Sequence, residues 1–223
     1  MKLSELSNTS LRFITAGLMF AVLLIAIVLE SNFPSIHAIR WLSVMVVIGA
    51  IFETFKCFKE TDKDTFNKHW AYFIAFFLWL VLMLGAAYFV GARPWIMLWL
   101  LMIIIGADVG GWFFGHILGG DKMWERISAN KTWSGQIGGI ICGTIMSVLF
   151  FLYIKPFGND VVFAILMGIS MSLLSQYGDL TASFIKRCLN IKDFGNLLPG
   201  HGGILDRFDG WIYVLPLMWF FIK

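Results

Sequence analysis

The stretch Trp95–Phe114, WIMLWLLMIIIGADVGGWFF, decides the fold, because its 20 residues include a single charged side chain, Asp108. About 20 predominantly apolar residues in a helix are enough to cross the hydrocarbon core of a bilayer. The whole chain of 223 residues is 59% hydrophobic and only 14% charged, which excludes a soluble domain. We therefore predict that this stretch is one transmembrane helix among several.

Similar apolar runs lie on both sides of this stretch. We predict seven spans, at about Leu11–Leu29, Ile39–Phe55, Trp70–Val90, Trp95–Phe114, Gln136–Tyr153, Val161–Asp179 and Trp211–Ile222. The sixth is expected to continue as a helix past Asp179, and the short seventh leaves open a start as early as Leu205. The predicted fold class is all-α: a polytopic membrane helix bundle in one domain, with N-terminal spans in 1–93 and a catalytic core in 94–223.

The distribution of Lys and Arg predicts the orientation of the spans. Of the 17 Lys and Arg residues, 13 fall on one side when alternate connecting segments are compared. These are Lys2, Arg12, Lys56, Lys59, Lys63, Lys68, Lys122, Arg126, Lys131, Lys186, Arg187, Lys192 and Arg207; the other side has Arg40, Arg93, Lys155 and Lys223. The positive-inside bias places the N-terminus and the polar segments 115–134 and 180–210 in the cytosol. The net charge of +3 follows from this topology, so no nucleic-acid partner is predicted.

Glycines spaced four residues apart predict close packing of the fourth and fifth spans. The patterns are Gly106-x-x-x-Gly110, Gly111-x-x-x-Gly115 and Gly135-x-x-x-Gly139-x-x-x-Gly143. Residues at this spacing share one helical face, and small residues there let two backbones approach. The pattern indicates packing and carries no functional information by itself.

A polar stripe follows one face of the sixth predicted span. Five residues recur at steps of three, four, four and three: Ser172, Ser175, Asp179, Ser183 and Lys186. Charged side chains near a membrane boundary are costly unless they are paired, hydrated or coordinated, and they commonly mark function. The alternative is that Lys186 and the neighbouring Arg187 only anchor the helix at the cytosolic surface.

Two further segments carry polar chemistry near the same boundary. Asp108 is followed by Gly110 and Gly111, which would let a helix or a ligand approach; a buried acid satisfied by neighbouring hydroxyls is the alternative. The second segment contains side chains that suit anionic phosphate oxygens at a helix start: Ser128, Asn130, Lys131 and Thr132. A simple helix cap with an anchoring lysine explains this segment equally well.

The C-terminal polar block adds acids and a glycine-rich run. Asp206 and Asp209 join Asp179 near one boundary, and oxygen ligands of this kind suit Mg²⁺. Pro199–Gly203 is predicted to be non-helical and able to fold close over a phosphate. His201 alone among aspartates favours Mg²⁺ over zinc.

Residues 183–209 resemble the signature S-x-[LIVMF]-K-R-x4-K-D-x-[GSA]-x2-[LIF]-[PGS]-x-H-G-G-[LIVMF]-x-D-R-[LIVMFT]-D of the phosphatidate cytidylyltransferases, also called CDP-diacylglycerol synthases. Every fixed position from Ser183 to Asp209 matches. Asp179 in Gly-Asp-Leu, Asp108 with its two glycines, and the Ser128–Gly135 segment resemble further parts of that family. In the last segment Ala129 replaces a usual Pro and Ser134 replaces a usual Glu.

The resemblance implies transfer of a cytidylyl group from CTP to phosphatidate with Mg²⁺ as the cofactor. Whether a second cation takes part is left open. The residues implied as catalytic are Asp179, Lys186, His201 and Asp206. The implied metal ligands are Asp179, Asp206 and Asp209. The implied substrate-binding residues are Asp108, Ser128, Asn130, Lys131, Thr132, Arg187 and Arg207. The expected location is a bacterial inner membrane with the site facing the cytosol, and the expected partners are the two substrates and the bilayer, with a homodimer left open.

Two other functions stay open at the level of sequence. His201 and Asp206 form the H-x4-D pattern of glycerol-phosphate acyltransferases, which is short and has no further acyltransferase block behind it. Asp108 and Asp179 could serve an ion-coupled transporter as intramembrane coordination sites. The long polar segments favour catalysis over transport.

Overall fold

A computed structural model describes residues 8–154 and 160–222. The helices in these ranges are α1 (Asn8–Asn32), α2 (Ala38–Glu60), α3 (Lys63–Gly91), α4 (Pro94–Leu118), α5 (Trp133–Ile154), α6 (Val161–Cys188), α7 (Leu205–Phe208) and α8 (Trp211–Ile222). A 3₁₀ turn covers Pro34–Ile36, and two short strands are β1 (Lys122–Trp124) and β2 (Ser128–Thr132). Three residues used to predict orientation, Lys2, Lys155 and Lys223, lie outside the described residues.

Six of these helices, α1 to α6, are long and apolar enough to cross a membrane, and α8 is a shorter apolar helix. The prediction of a polytopic membrane helix bundle with about seven spans is therefore confirmed. Helices α1 to α6 run further than the predicted spans, whereas α8 has the predicted bounds. For example, α3 begins at Lys63 instead of Trp70, and α6 continues to Cys188. The expected continuation of the sixth helix past Asp179 is confirmed as well.

Local chemistry sets several of the helix ends. Asp62 caps α3, because its carboxylate accepts a hydrogen bond of 2.8 Å from the Thr65 N–H. This hydrogen bond holds the pKa of Asp62 below its ordinary value. Gly119 and Gly120 follow α4 with φ of 59° and 101°, a left-handed backbone that ends the helix at glycine.

The polar segments contain more structure than the sequence predicted. In 115–134, β1 and β2 form an antiparallel hairpin that pairs Lys122 with Thr132 and Trp124 with Ser128. In the C-terminal block, α7 is a separate helical turn, so α8 does not extend back to Leu205 as one helix. Pro199–Gly203 is non-helical, as predicted.

The chain divides into two compact units, which are residues 1–94 with 185–208, and residues 95–184 with 209–223. In the first unit, α2 and α3 pack through buried apolar side chains that include Val47, Leu80 and Met83. Ser43 Oγ donates to the Ala87 carbonyl at 3.0 Å across the same pair of helices. The grouping of all spans into one domain stays a prediction.

The second unit is built around glycine contacts between α4 and α5. A Cβ on Gly110 would lie 2.8 Å from the Gly138 carbonyl oxygen, and one on Gly135 would lie 2.7 Å from the Gly111 carbonyl oxygen. Real Cβ atoms do not come this close, so the backbones touch only because both faces are glycine. The close packing predicted from the glycine spacing is confirmed. Buried Trp99 adds a hydrogen bond of 3.1 Å from its indole N–H to the Ser147 carbonyl.

Candidate active site

The predicted site residues lie on α4, β2, the end of α6 and the segment after it. Asp108 is on α4; Ser128, Asn130, Lys131 and Thr132 are on β2; Asp179, Lys186 and Arg187 are on α6; His201 is in the turn before α7; Asp206 and Arg207 are on α7; and Asp209 directly follows α7. They fall into two groups, one in each compact unit. Each group is described separately.

A buried ion pair organises the first unit's group. Lys186 Nζ lies 2.8 Å from Asp206 Oδ1, and the two side chains are 11% and 4% exposed. The other carboxylate oxygen of Asp206 accepts hydrogen bonds from the backbone N–H groups of Phe194 (2.8 Å) and Gly203 (3.0 Å). The Lys186 ammonium also lies 5.6 Å from the centre of the Phe194 ring. Asp206 therefore ties the last turns of α6 to two points of the segment that follows it.

Glu53 is a buried acid in this unit that the sequence analysis did not assign. It is 3% exposed, and its Oε2 accepts a hydrogen bond of 3.1 Å from the Leu205 N–H at the start of α7. A Cβ on Gly195 would lie 2.5 Å from Oε1, and one on Gly203 would lie 2.6 Å from Oε2. Both signature glycines thus leave room for this carboxylate. The available signal was an isolated acid inside the apolar run Ile39–Phe55.

His201 lies in a turn closed by hydrogen bonds from its own N–H to the Leu198 carbonyl (2.8 Å) and from the Leu198 N–H to the Gly202 carbonyl (2.9 Å). Arg207 Nε donates to the His201 carbonyl at 2.9 Å. The His201 Nδ1 is buried and has no hydrogen-bond partner in the described part of the chain. Asp206 is hydrogen-bonded to Lys186 and to two backbone amides. Among the described residues, His201 and Asp206 of the H-x4-D pattern therefore form no hydrogen bond with each other.

The second unit's group centres on Asp179. Lys131 Nζ lies 2.6 Å from Asp179 Oδ2 and donates to the Gln176 carbonyl at 3.1 Å. Ser183 Oγ donates to Asp179 Oδ1 at 3.3 Å. Asp108 interacts electrostatically with both Asp179 and Lys131. Two carboxylates and one ammonium from α4, β2 and α6 therefore come together.

The remaining residues of β2 divide into exposed and structural positions. Asn130 is exposed, and Ser128 pairs with Trp124 in the hairpin. Thr132 is buried, and its Oγ1 accepts a hydrogen bond of 3.2 Å from the Gly135 N–H in the first turn of α5. Thr132 thus caps α5, which is the structural alternative noted for this segment. Its hydroxyl also bonds to Ser134 Oγ at 3.0 Å, and Ser134 donates to the Gly119 carbonyl.

Two predicted residues lie at the edges of these groups. Arg187 is exposed in the last turn of α6, whereas Lys186 beside it is buried. Asp209 Oδ1 accepts from the Gly210 N–H at 2.8 Å. The serines of the polar stripe on α6, Ser172, Ser175 and Ser183, are buried.

Comparison with known proteins decides the family. Residues 1–223 match the profile of the cytidylyltransferase family. The chain belongs to this family. It is therefore a nucleotidyltransferase, and the resemblance seen in residues 183–209 is confirmed.

The chain is also similar in sequence to several individual proteins. A phosphatidate cytidylyltransferase of Staphylococcus aureus (strain COL) is 37% identical over 225 residues, covering 97% of this chain and 83% of the relative. The enzyme of that name from Staphylococcus epidermidis (strain ATCC 12228 / FDA PCI 1200) is 35% identical over the same extent. For the one from Staphylococcus haemolyticus (strain JCSC1435), identity is 40% over 138 residues, 60% of this chain and 53% of the relative. That last alignment spans about half of the relative's length.

The carboxylates of this cytidylyltransferase fit Mg²⁺ bound together with a substrate. Among the described residues, no cluster of three or more His, Cys, Asp or Glu side chains is close enough to hold a metal alone. Mg²⁺ commonly takes only one or two carboxylates, with phosphate oxygens and water as the other ligands. Asp108 and Asp179 are near enough to interact electrostatically, which makes them the candidate pair for such a site. Asp206 already accepts three hydrogen bonds, which leaves it about one of its four acceptor positions.

Proposed function

We propose that the chain is a phosphatidate cytidylyltransferase, which converts CTP and phosphatidate into CDP-diacylglycerol and pyrophosphate. The observation that carries the proposal is the family match over residues 1–223, together with relatives of that name aligned over 97% of the chain. The polar residues that the signature predicts are present on membrane helices and their connecting segments, as a water-soluble nucleotide and a lipid substrate require.

The reaction needs charge neutralisation more than acid–base catalysis. An oxygen of the phosphatidate phosphate forms a bond to the α-phosphorus of CTP, and the bond to the oxygen bridging the α- and β-phosphorus breaks. Pyrophosphate leaves with that electron pair. The attacking oxygen is already anionic near neutral pH, since the second pKa of a phosphomonoester is about 6. No strong general base is required, in keeping with a His201 that orients a phosphate instead of removing a proton.

The described contacts suggest how the residues divide this work. Asp179, with Asp108 beside it, would hold Mg²⁺, which neutralises phosphate oxygens and the departing pyrophosphate when bound. Asp206 and Asp209 remain proposed metal ligands, with Asp206 limited to about one further contact. Lys131, whose Nζ lies 2.6 Å from Asp179 Oδ2, would transfer its ammonium from this carboxylate to an incoming phosphate. This exchange of partners would free the Asp179 carboxylate to bind the metal as the substrate arrives.

Other substrate contacts come from the edges of the two groups. Asn130 and Arg187 are exposed, so their side chains can reach a phosphate in the surrounding water. Ser128 and Thr132 belong to the hairpin, and Thr132 also caps α5, so its proposed contact with substrate uses the remaining capacity of a hydroxyl. We place the site on the cytosolic face of a bacterial inner membrane, on the basis of the Lys and Arg bias.

The test is purified protein in mixed micelles with phosphatidate, Mg²⁺ and CTP labelled on its α-phosphate. Lipid-extractable label that depends on phosphatidate and disappears with a chelator is the expected result. Asp179→Asn should lower turnover at least a hundredfold, while Asp64→Asn, at an exposed position in the first turn of α3, should match the parent. The absence of lipid-linked label from folded parent protein would refute the proposal. Metal analysis decides whether a second cation is bound, and light scattering in detergent tests the homodimer.

A further inference from the structure

Two arginines hold adjacent carbonyl groups of the turn that contains His201. Arg12, near the start of α1, donates from Nε to the Gly200 carbonyl at 3.1 Å. Arg207, on α7, donates from Nε to the His201 carbonyl at 2.9 Å. Because the two acceptors belong to consecutive residues, both guanidinium groups lie at one turn.

The turn is shaped to receive α1 closely. Gly200 has φ of 74°, and a Cβ there would lie 3.2 Å from both the backbone nitrogen and Cγ of Arg12. Thr15 Oγ1, one helical turn after Arg12, donates to the Pro199 carbonyl at 2.7 Å. The contact between α1 and this turn is therefore specific, because two α1 side chains bond to two successive carbonyls.

Most of the donors on both arginines remain available. A guanidinium has five N–H donors, and each of these uses its Nε here. Both side chains are exposed, and neither pairs with a carboxylate among the residues that the structure describes. The buried Asp206 is bonded to Lys186, so it does not neutralise them.

The imidazole of His201 belongs to the same turn. The buried Nδ1 of His201 has no hydrogen bond within the described ranges. Asp193 lies beside Gly202 but forms no ion pair with either arginine in the same ranges. The turn therefore carries two cations that no carboxylate pairs with in the described part of the chain, together with an imidazole.

We propose that Arg12 and Arg207 together bind the phosphate headgroup of the lipid substrate, so that α1 helps to select a phosphomonoester lipid. The inference rests on the proposed function. A phosphomonoester carries about −1.5 to −2 charges near pH 7, whereas a phosphodiester lipid carries one negative charge. Guanidinium groups bind such oxygens through paired N–H donors, which a single ammonium cannot reproduce.

The position of Arg12 favours the lipid as the source of this phosphate. The residues that follow it on α1 expose large apolar side chains, including Phe13, Leu18 and Phe20. Acyl chains that lie along these side chains in the bilayer would bring a headgroup to the level of Arg12. A CTP phosphate offers the same chemistry but has no acyl chains to lie along α1, so kinetics can separate the two sources.

The experiment compares Arg12→Gln, Arg12→Lys and Thr15→Val with the parent protein. Thr15→Val removes the other hydrogen bond between α1 and the turn without removing a cation, so it is the matched control for loss of the α1 contact. Phosphatidate is varied by mole fraction in mixed micelles at saturating CTP, and CTP is then varied at saturating phosphatidate. We expect Arg12→Gln to raise the KM for phosphatidate about tenfold with an unchanged KM for CTP, and Arg12→Lys to recover part of the loss.

A second readout does not need turnover. Phosphatidate added without CTP should raise the Tm of the parent more than phosphatidylglycerol does, and Arg12→Gln should lose this difference while keeping its lipid-free Tm within a few degrees. This arm decides the arginine proposal even if the parent makes no liponucleotide, an outcome that would count against the proposed function alone. A raised KM for CTP in place of phosphatidate, an equal effect of Thr15→Val, or no change in either readout would overturn the proposal.

Discussion

The Lys186–Asp206 pair allows a sharp test of how the segment after α6 is held. Breaking a buried ion pair by removing one partner costs about 3–5 kcal/mol, because a buried charge loses its compensation. Lys186→Met should destabilise by about 3 kcal/mol, at the lower end, since the Phe194 and Gly203 N–H groups still stabilise the carboxylate. Asp206→Ala should cost about 5 kcal/mol, because it strands the ammonium and leaves two backbone N–H groups unpaired at about 1 kcal/mol each.

The double variant gives the decisive comparison. With both charges removed, only the two N–H groups of Phe194 and Gly203 remain unpaired, so Lys186→Met/Asp206→Ala should cost about 2–3 kcal/mol. The double variant is therefore expected to be more stable than Asp206→Ala alone. Two independent sites would instead give a double variant near the sum of the single effects.

Unfolding by SDS in mixed micelles measures these differences, and the 10 tryptophans supply the fluorescence signal. Coincidence with circular dichroism checks that the transition is two-state. Lys192→Met is the matched control, because Lys192 is an exposed lysine of the same segment and should change stability by no more than about 0.5 kcal/mol. If the single effects of Lys186→Met and Asp206→Ala simply add, the reasoning from the buried pair is refuted.

Three further perturbations probe other contacts. Glu53→Ala should destabilise by about 2–3 kcal/mol by leaving a buried N–H of α7 unpaired, whereas Glu53→Gln, which keeps an acceptor, should cost clearly less in the same SDS titration. Gly143→Ala should destabilise by about 1–3 kcal/mol, because its Cβ would overlap the buried side chain of Ser172 on α6. Gly85→Ala has open space around the new Cβ and should stabilise the protein by up to about 1 kcal/mol. Because the folded-state pKa of Asp62 is lowered, its capping contribution is fully present above the ordinary pKa of 3.8 and is lost as the pH falls through the lowered pKa. The difference in Tm between the parent and Asp62→Ala should therefore vanish in acid. A difference in Tm that stays constant with pH would contradict the cap.

The spans were predictable because each depends on its own residues. An apolar run long enough to cross a bilayer leaves few alternatives to helix, since unpaired backbone groups are too costly there. The α4–α5 contact was also predictable, because glycine spacing along each helix identifies the face where backbones approach. The hairpin of β1 and β2 was not, since its polar residues have no apolar periodicity that indicates a strand.

The contacts that build the candidate site were harder to predict because they join distant parts of the chain. Glu53 and Leu205 are 152 residues apart, and Lys131 and the Gln176 carbonyl that it contacts are 45 apart. A sequence pattern reports which residue types recur locally, and it carries no information on which helix meets which. All four residues could be nominated from the sequence, whereas the pairing of Asp179 with Lys131 and of Lys186 with Asp206 required the fold.

The signature therefore encodes a local structure as well as a chemistry. Gly195 and Gly203 leave room for the Glu53 carboxylate, and Asp206 binds two backbone amides of the same segment. Packing and hydrogen bonding account for the fixed Gly203 and Asp206, and for Gly195, where the signature also allows Ser or Ala. The exposed Arg207 instead keeps donors available for a ligand. Glu53, which makes this packing possible, lies outside the signature altogether. A chain that matched residues 183–209 but lacked an acid at this place in α2 would keep the chemical groups and lose a buried acceptor that holds them in position.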